Sequence, residues 1–172
     1  YLALTARPAQ RPPDTWLETR PLADPTRKGA AVRVLLPGQG GIAARTAFSV
    51  ASQSSSGLLI LARPQTGRKH QIRAHLAAAG LPILGDALYG GRRRLGGLEI
   101  RRPMLHAWRL RLVHPMTGQP LDFRAAPPAD FDRLRRLLAL AEPSLEPDSP
   151  PGESAPETEQ GRAPDGRGRT LP

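Results

Sequence analysis

The sequence contains no cysteine. That excludes disulfides and thiolate metal sites and fits a reducing compartment, so the cytoplasm is the expected location. No apolar run approaches the roughly 20 residues that a membrane-spanning helix needs, and no membrane contact is expected. A basic start followed by an apolar stretch is also missing, so no signal peptide is read. The first residue is Tyr rather than Met, from which the chain is expected to begin where a longer one was truncated, processed or excised. At 172 residues the length suits one domain.

Acidic residues are scarce as well, but only in one part of the chain. Residues 1–140 hold 22 Lys+Arg against 8 Asp+Glu, a balance of +14, while residues 141–172 hold 3 against 7, a balance of −4. A domain at +14 attracts polyanions, of which nucleic acid is the commonest. A second reading stays open. Only Lys28 and Lys69 are lysines, and a GC-rich genome spells its surface cations as Arg.

The first 62 residues read as antiparallel β. Tyr1 to Ala6, Trp16 to Leu22, Ala31 to Leu36, Arg45 to Ala51 and Leu58 to Ala62 are short strand-like runs. Pro- and Gly-rich turns punctuate them, among them Pro25 to Gly29 and Pro37-Gly38. His70 to Ala79 then reads as a helix with Ile72, His75, Leu76 and Ala79 inward and Gly80 as its C-terminal cap. Trp108 to His114 and Leu121 to Arg124 form a hairpin, with Arg109 and Arg111 on one basic face. Asp130 to Leu140 is an amphipathic helix, with Phe131, Leu134, Leu137 and Leu138 inward and Arg133, Arg135 and Arg136 outward. After Glu142 the chain is Pro-, Glu-, Gly- and Ser-rich without aromatics. Residues 141–172 are therefore expected to be a disordered acidic tail. The class is α+β, and no internal repeat is present.

Chemistry concentrates at Gly67 to His75, where Arg68, Lys69, His70, Gln71, Arg73 and His75 crowd a turn that opens a helix. A helix N-terminus presents free N–H groups and a positive dipole end, so this reads as a phosphate site. A solvated basic helix start is the plainer alternative. Arg92-Arg93-Arg94 has the same two readings, RNA phosphate contact or solvated loop. The four histidines, His70, His75, His106 and His114, show no zinc spacing, and no metal is expected. His75 and His106 read as structural hydrogen-bonders.

Thr66 to Gly90 reads TGRKHQIRAHLAAAGLPILGDALYG. It resembles the signature of RluA-type RNA pseudouridine synthases, TGR-x-HQIR-x-H followed by G-x-P-I-x-GD-x-x-YG. The likeness extends to Tyr1 to Leu4, Ala44 to Phe48, Arg102 to Ala107 and His114 to Gly118, and so covers roughly residues 1–140. The resemblance implies a mixed, mainly antiparallel sheet with flanking helices, here incomplete. It implies isomerisation of uridine in structured RNA, with ribosomal large-subunit RNA as the expected partner, no cofactor and no metal, by a monomer. Tyr1 matches the family's active-site Tyr. Arg73 matches the basic residue that pairs with the nucleophilic Asp of an H-R-L-D motif.

That motif does not occur in the 172 residues and is expected upstream, which leaves this chain alone inactive. Arg73 is then expected to lack its partner, at a cost of about 3–5 kcal/mol where the site is buried. Asp86 is read as bonding its own loop backbone rather than as a substitute nucleophile, with Tyr89 packed or hydrogen-bonded in the same loop. RNA contacts are expected from Arg68, Lys69, His70, Gln71, Arg92, Arg93 and Arg94. Two rival readings are a non-catalytic RNA-binding module derived from such an enzyme and a basic ribosomal or architectural protein.

Overall fold

The computed structural model describes residues 1–23 and 30–144. The expected turn at 25–29, and all of the expected tail beyond residue 144, lie outside the described residues.

The centre is a five-stranded antiparallel sheet. Its strands are β1 (Leu2–Ala6), β2 (Thr15–Glu18), β3 (Thr46–Gln53), β4 (Gly57–Pro64) and the short β7 (Leu105–His106), in the order β2-β3-β4-β1-β7. The two remaining ladders are small hairpins, β5 (Arg94–Leu95) with β6 (Leu98–Glu99), and β8 (Arg109–Val113) with β9 (Pro120–Arg124). Two helices complete the fold, α1 (Gln71–Ala78) and α2 (Ala129–Leu137). The α+β class and the mainly antiparallel sheet are as the sequence led one to expect.

Residues 2–5 of β1 and 57–60 of β4 are buried at every position. Unbroken burial means that both faces of the sheet centre are covered. Leu2, Leu4, Phe48, Leu58 and Ile60 meet Ile72 and Leu76 of α1 and Phe131, Leu134 and Leu138 from α2 and its end in one core. Trp16 stacks on Phe48 across the β2–β3 pair, ring centroids 4.9 Å apart. A smaller cluster joins Leu22, Val32, Ala44 and Ala74, with Tyr89 packed against it.

Three expectations need correction. Ala31 to Leu36 is not a strand. Leu22 is bridged by both Val34 and Ile42 as isolated pairs, so the backbone there is tied one residue at a time. In α2 Arg135 lies inward beside Phe131 and Leu134, 6% exposed, and Leu137 is 51% exposed. The helix stops at Leu137, and the chain end curls back so that Arg135 Nη1 donates to Leu140 O at 2.7 Å. The hairpin β8–β9 does separate Arg109 and Arg111 from Leu110 and Leu112. Yet Asp122 pairs across from Arg111, 2.6 Å from Arg109 Nη2, and makes that face mixed in charge. Asp122 is held near pKa 2, chiefly by its hydrogen bonds from Arg109.

The segment after α1 places the next functional candidate. Gly80 takes the left-handed φ of 74° that ends the helix, and Leu81 N–H returns to Leu76 O at 2.8 Å. The chain then runs along β1, with Thr5 bridged to Ile83 and Leu84 N–H donating to Leu4 O. It thereby delivers Asp86 beside α1.

Candidate active site

The signature residues of 66–75 split into two sets once the fold is drawn. Thr66, Gln71 and His75 point inward and form one directional hydrogen-bond chain. Arg45 N–H donates to Thr66 Oγ1, and the Thr66 hydroxyl donates to Gln71 Oε1 at 2.7 Å. Gln71 Oε1 also accepts from Arg68 N–H, while Gln71 Nε2 donates to Arg45 O and to Thr46 Oγ1, both at 2.9 Å. His75 Nε2 faces Arg20 O at 3.2 Å, and a carbonyl only accepts, so the proton sits on Nε2. His75 Nδ1 therefore accepts from the Thr46 hydroxyl at 3.1 Å.

Gln71 is 4% exposed and all four of its amide valences are engaged. The RNA contact expected of Gln71 is thus withdrawn, because its side chain locks the turn to β3 from inside. Burial holds the His75 imidazole below its ordinary pKa, against the opposing effect of its hydrogen bond to Arg20. His106 Nε2 likewise bonds Ala125 O, at 2.9 Å.

The second set is outward or lateral. Arg68 and Lys69 are exposed, and Arg68 Nε donates to Ala43 O at 3.1 Å. His70 occupies the left-handed region at φ 53°, an uncommon conformation for a residue with a side chain. There its ring meets Tyr89 edge-on, with Nδ1 3.2 Å from the Tyr89 hydroxyl. That hydroxyl accepts from Val32 N–H at 2.8 Å. Tyr89 thus bonds across to another loop rather than within its own. Desolvation, then the charges of Arg73 and Lys69, lower the His70 pKa, and desolvation raises that of Tyr89.

Arg73 overturns one expectation outright, since it is not without a partner. Its Nε and Nη2 donate to Asp86 Oδ2 and Oδ1, both at 2.7 Å, a bidentate pair. Its guanidinium carbon lies 5.0 Å from the Tyr89 ring centroid, within cation–π range. The Arg73 side chain is 19% exposed and Asp86 is 1% exposed. Asp86 does not turn back on its own backbone through its side chain. Its loop is pinned by main-chain bonds, Asp86 N–H to Ile83 O and Gly91 N–H to Asp86 O. The hydrogen bonds that Arg73 donates to Asp86 raise the Arg73 pKa further. Sequence inspection missed this pair, although Asp86 lies only 13 residues beyond Arg73 in a domain short of acids.

Tyr1 lies elsewhere. It is 41% exposed and borders a cleft of about 530 Å³ with Arg63, Thr66, Gly67, Trp108, Arg109 and Arg111. The cleft joins Tyr1 to the first residues of the signature, while Arg73 is not among the residues that line it. Arg92 and Arg93 are exposed, and Arg94 pairs across the β5–β6 turn from Glu99. Among the described residues no group of three or more His, Asp and Glu is placed to hold a metal ion. Nor is any helix there long and apolar enough to cross a membrane.

Comparison with known proteins agrees with this layout. A family described as RNA pseudouridylate synthase matches residues 1–78. An uncharacterised RNA pseudouridine synthase of Chloroflexus aurantiacus is 38% identical over 128 residues, 74% of this chain and 39% of that protein. The ribosomal large subunit pseudouridine synthase D of Vibrio vulnificus is 43% identical over 57% of this chain and 33% of its own length. The chain thus spans between a third and two fifths of these relatives. Among solved structures, human RNA pseudouridylate synthase domain containing 4 superposes with a TM-score of 0.64 at 26% identity. That match covers 83% of this chain and 62% of the human one. The fold, the signature at 66–90 and these relatives agree: the chain matches the RNA pseudouridylate synthase family over residues 1–78 and is similar to RluA-type enzymes over part of their length.

Proposed function

We propose that the protein carrying this chain isomerises uridine to pseudouridine in structured RNA, with ribosomal large-subunit RNA as substrate. The observation that carries this reading is the division of labour within the signature. Thr66, Gln71 and His75 are consumed in holding the turn and helix, and beside the exposed Arg68 and Lys69 they leave a fixed, partly exposed guanidinium at Arg73. The names of relatives in Vibrio vulnificus and Zymomonas mobilis support the ribosomal substrate.

In this reading residues 1–140 are the C-terminal part of the catalytic domain, working as a cytoplasmic monomer without cofactor or metal. Arg73 pairs with a nucleophilic Asp supplied from outside these residues. A carboxylate must be ionised to attack, and a neighbouring Arg both lowers its pKa and fixes its direction. Tyr1 stacks beside the target base at the cleft it shares with Trp108. Arg68, Lys69, His70 through its free Nε2, and Arg92 to Arg94 contact phosphates, which gives affinity without sequence choice. The uracil–ribose C–N bond breaks, the base turns, and a C–C bond forms. A stacked base must first be unstacked at a few kcal/mol, least in loops, so a loop uridine is the expected target.

The test is tritium release from RNA carrying 5-tritiated uridine. The full-length protein should release tritium, Arg73→Ala should abolish release, and the 172-residue chain alone should give none. Absence of release by the full-length protein on ribosomal RNA sinks the reading. A second reading, a non-catalytic RNA-binding module, is favoured by one observation: Asp86, the one acid within the signature, is buried with both oxygens bound to Arg73. Release by the full-length protein excludes it.

A further inference from the structure

We propose that Asp86 is a positioning residue for Arg73: it grips one edge of the guanidinium so that the other edge stays aimed at the carboxylate Arg73 serves. This rests on the function proposed above.

A guanidinium offers five N–H donors in a rigid planar fork with two usable edges, Nε with Nη2 and Nη1 with Nη2. Asp86 takes the first edge with two bonds of 2.7 Å. The Tyr89 ring lies 5.0 Å from the guanidinium carbon and covers a face. Edge and face together fix the plane. Among the described residues Nη1 has no protein partner, and the side chain is 19% exposed, so the open edge is the accessible one.

Asp86 can hold this geometry because its backbone cannot shift. A Cβ on Gly85 would lie 2.0 Å from Arg102 O, and one on Gly91 would lie 1.8 Å from Ile83 O, so the chain passes tightly on both sides. The Tyr89 hydroxyl is itself fixed by Val32 N–H and His70.

Arg135 supplies the internal comparison. It too is a buried, paired arginine, but its Nε donates to Asp132, its Nη1 to Leu140 O and its Nη2 to Glu142. Arg135 thus spends its whole fork on holding structure together. Arg73 uses half of it, in a signature whose inward polar members, Thr66, Gln71 and His75, are engaged on both sides. A buried ion pair is also weak as a purely stabilising device, since the cost of desolvating two charges offsets most of their attraction. Asp86 is no nucleophile itself, because its carboxylate is enclosed and both oxygens are engaged.

The experiment compares wild type and Asp86→Asn in the full-length protein, with kcat and KM for RNA measured at a temperature where urea titration shows the variant fully folded. The amide cannot accept both guanidinium bonds. Because a misplacement of about 1 Å costs roughly 100-fold, kcat should fall by about 100-fold with KM within threefold of wild type. A kcat within threefold of an active wild type overturns the proposal, and so does a loss carried by KM alone, which would make the pair an RNA-binding or structural feature. An inactive wild type overturns the function reading, and this inference with it. Should Asp86→Asn not fold, the wild-type chain labelled with ¹⁵N gives the second readout. Titration with sodium acetate should shift the Arg73 Nη signals and leave Nε–H in place. Displacement of Nε–H, or no shift of Nη, overturns the proposal.

Discussion

The Thr46 hydroxyl lies 3.1 Å from His75 Nδ1 in the interior, with both residues wholly buried, and it is the link through which α1 is fastened to β3. The link needs a neutral imidazole, because Nδ1 must accept.

Stability should therefore depend on pH in a defined window. The folded-state pKa of His75 is lowered by burial. Below the ordinary histidine value of about 6.5 the unfolded chain takes up a proton that the native state refuses, so stability falls as pH falls through and below that value. His70, also lowered, acts with the same sign. The urea midpoint should decline from pH 7 to pH 5, before carboxylates titrate, and His75→Gln should flatten the slope. An unchanged slope in His75→Gln would remove His75 as its source.

Gln71→Ala should destabilise without touching any exposed surface. It takes one partner from each of the Thr46 and Thr66 hydroxyls and Arg45 O and leaves Arg68 N–H unpaired, and a buried group left unpaired costs about 1–3 kcal/mol. The expected total is at least about 2 kcal/mol by urea denaturation, since some groups will find water. A loss of RNA affinity at full stability would instead restore the nucleic-acid role that was withdrawn.

The glycines give a graded test of the loop that holds Asp86. Gly91→Ala and Gly85→Ala place a Cβ 1.8 Å and 2.0 Å from carbonyl oxygens and should prevent normal folding. Gly80→Ala meets nothing within 4 Å and carries only the left-handed φ of 74°, costing about 1–2 kcal/mol. Thermal melts of the three variants should rank in that order.

In α2, Arg135→Ala should cost about 1–3 kcal/mol, because it leaves Leu140 O without its buried donor while Asp132 keeps Arg136. Arg133→Ala, at an exposed position of the same helix, should stay within about 0.5 kcal/mol. Equal effects would return Arg135 to the outward face assigned to it from the pattern.

RNA affinity should separate the basic loop from Arg73. Arg92→Ala and Arg93→Ala remove exposed cations. Each should weaken binding uniformly across sequences and reduce the salt slope by about 0.7–0.9 per phosphate lost. Arg73→Ala should leave that slope near its wild-type value, since its charge is already met by Asp86. Filter binding from low to high salt measures both.

Local chemistry alone determined a good deal here. The β-rich first third, the helix ended at Gly80, the alternation of the β8–β9 hairpin and the signature at 66–90 were all legible, because each depends on residues a few positions apart. Contacts between distant residues were not legible. Whether Gln71 faces RNA or the interior depends on β3, 25 residues upstream, where Thr46 awaits it. Arg135 looked outward on a helical wheel, but the chain beyond Leu137 folds back to offer it Leu140 O. Arg73 looked orphaned because its family partner is absent from these residues. Only the run of 81–86 along β1 showed that Asp86 holds it. The sequence by itself determined where polar and basic residues concentrate, since spacing and residue type are written in it. The tertiary structure decided which of them are buried and bonded and which edge of Arg73 is occupied by Asp86, because burial and pairing are set by partners that only folding brings together.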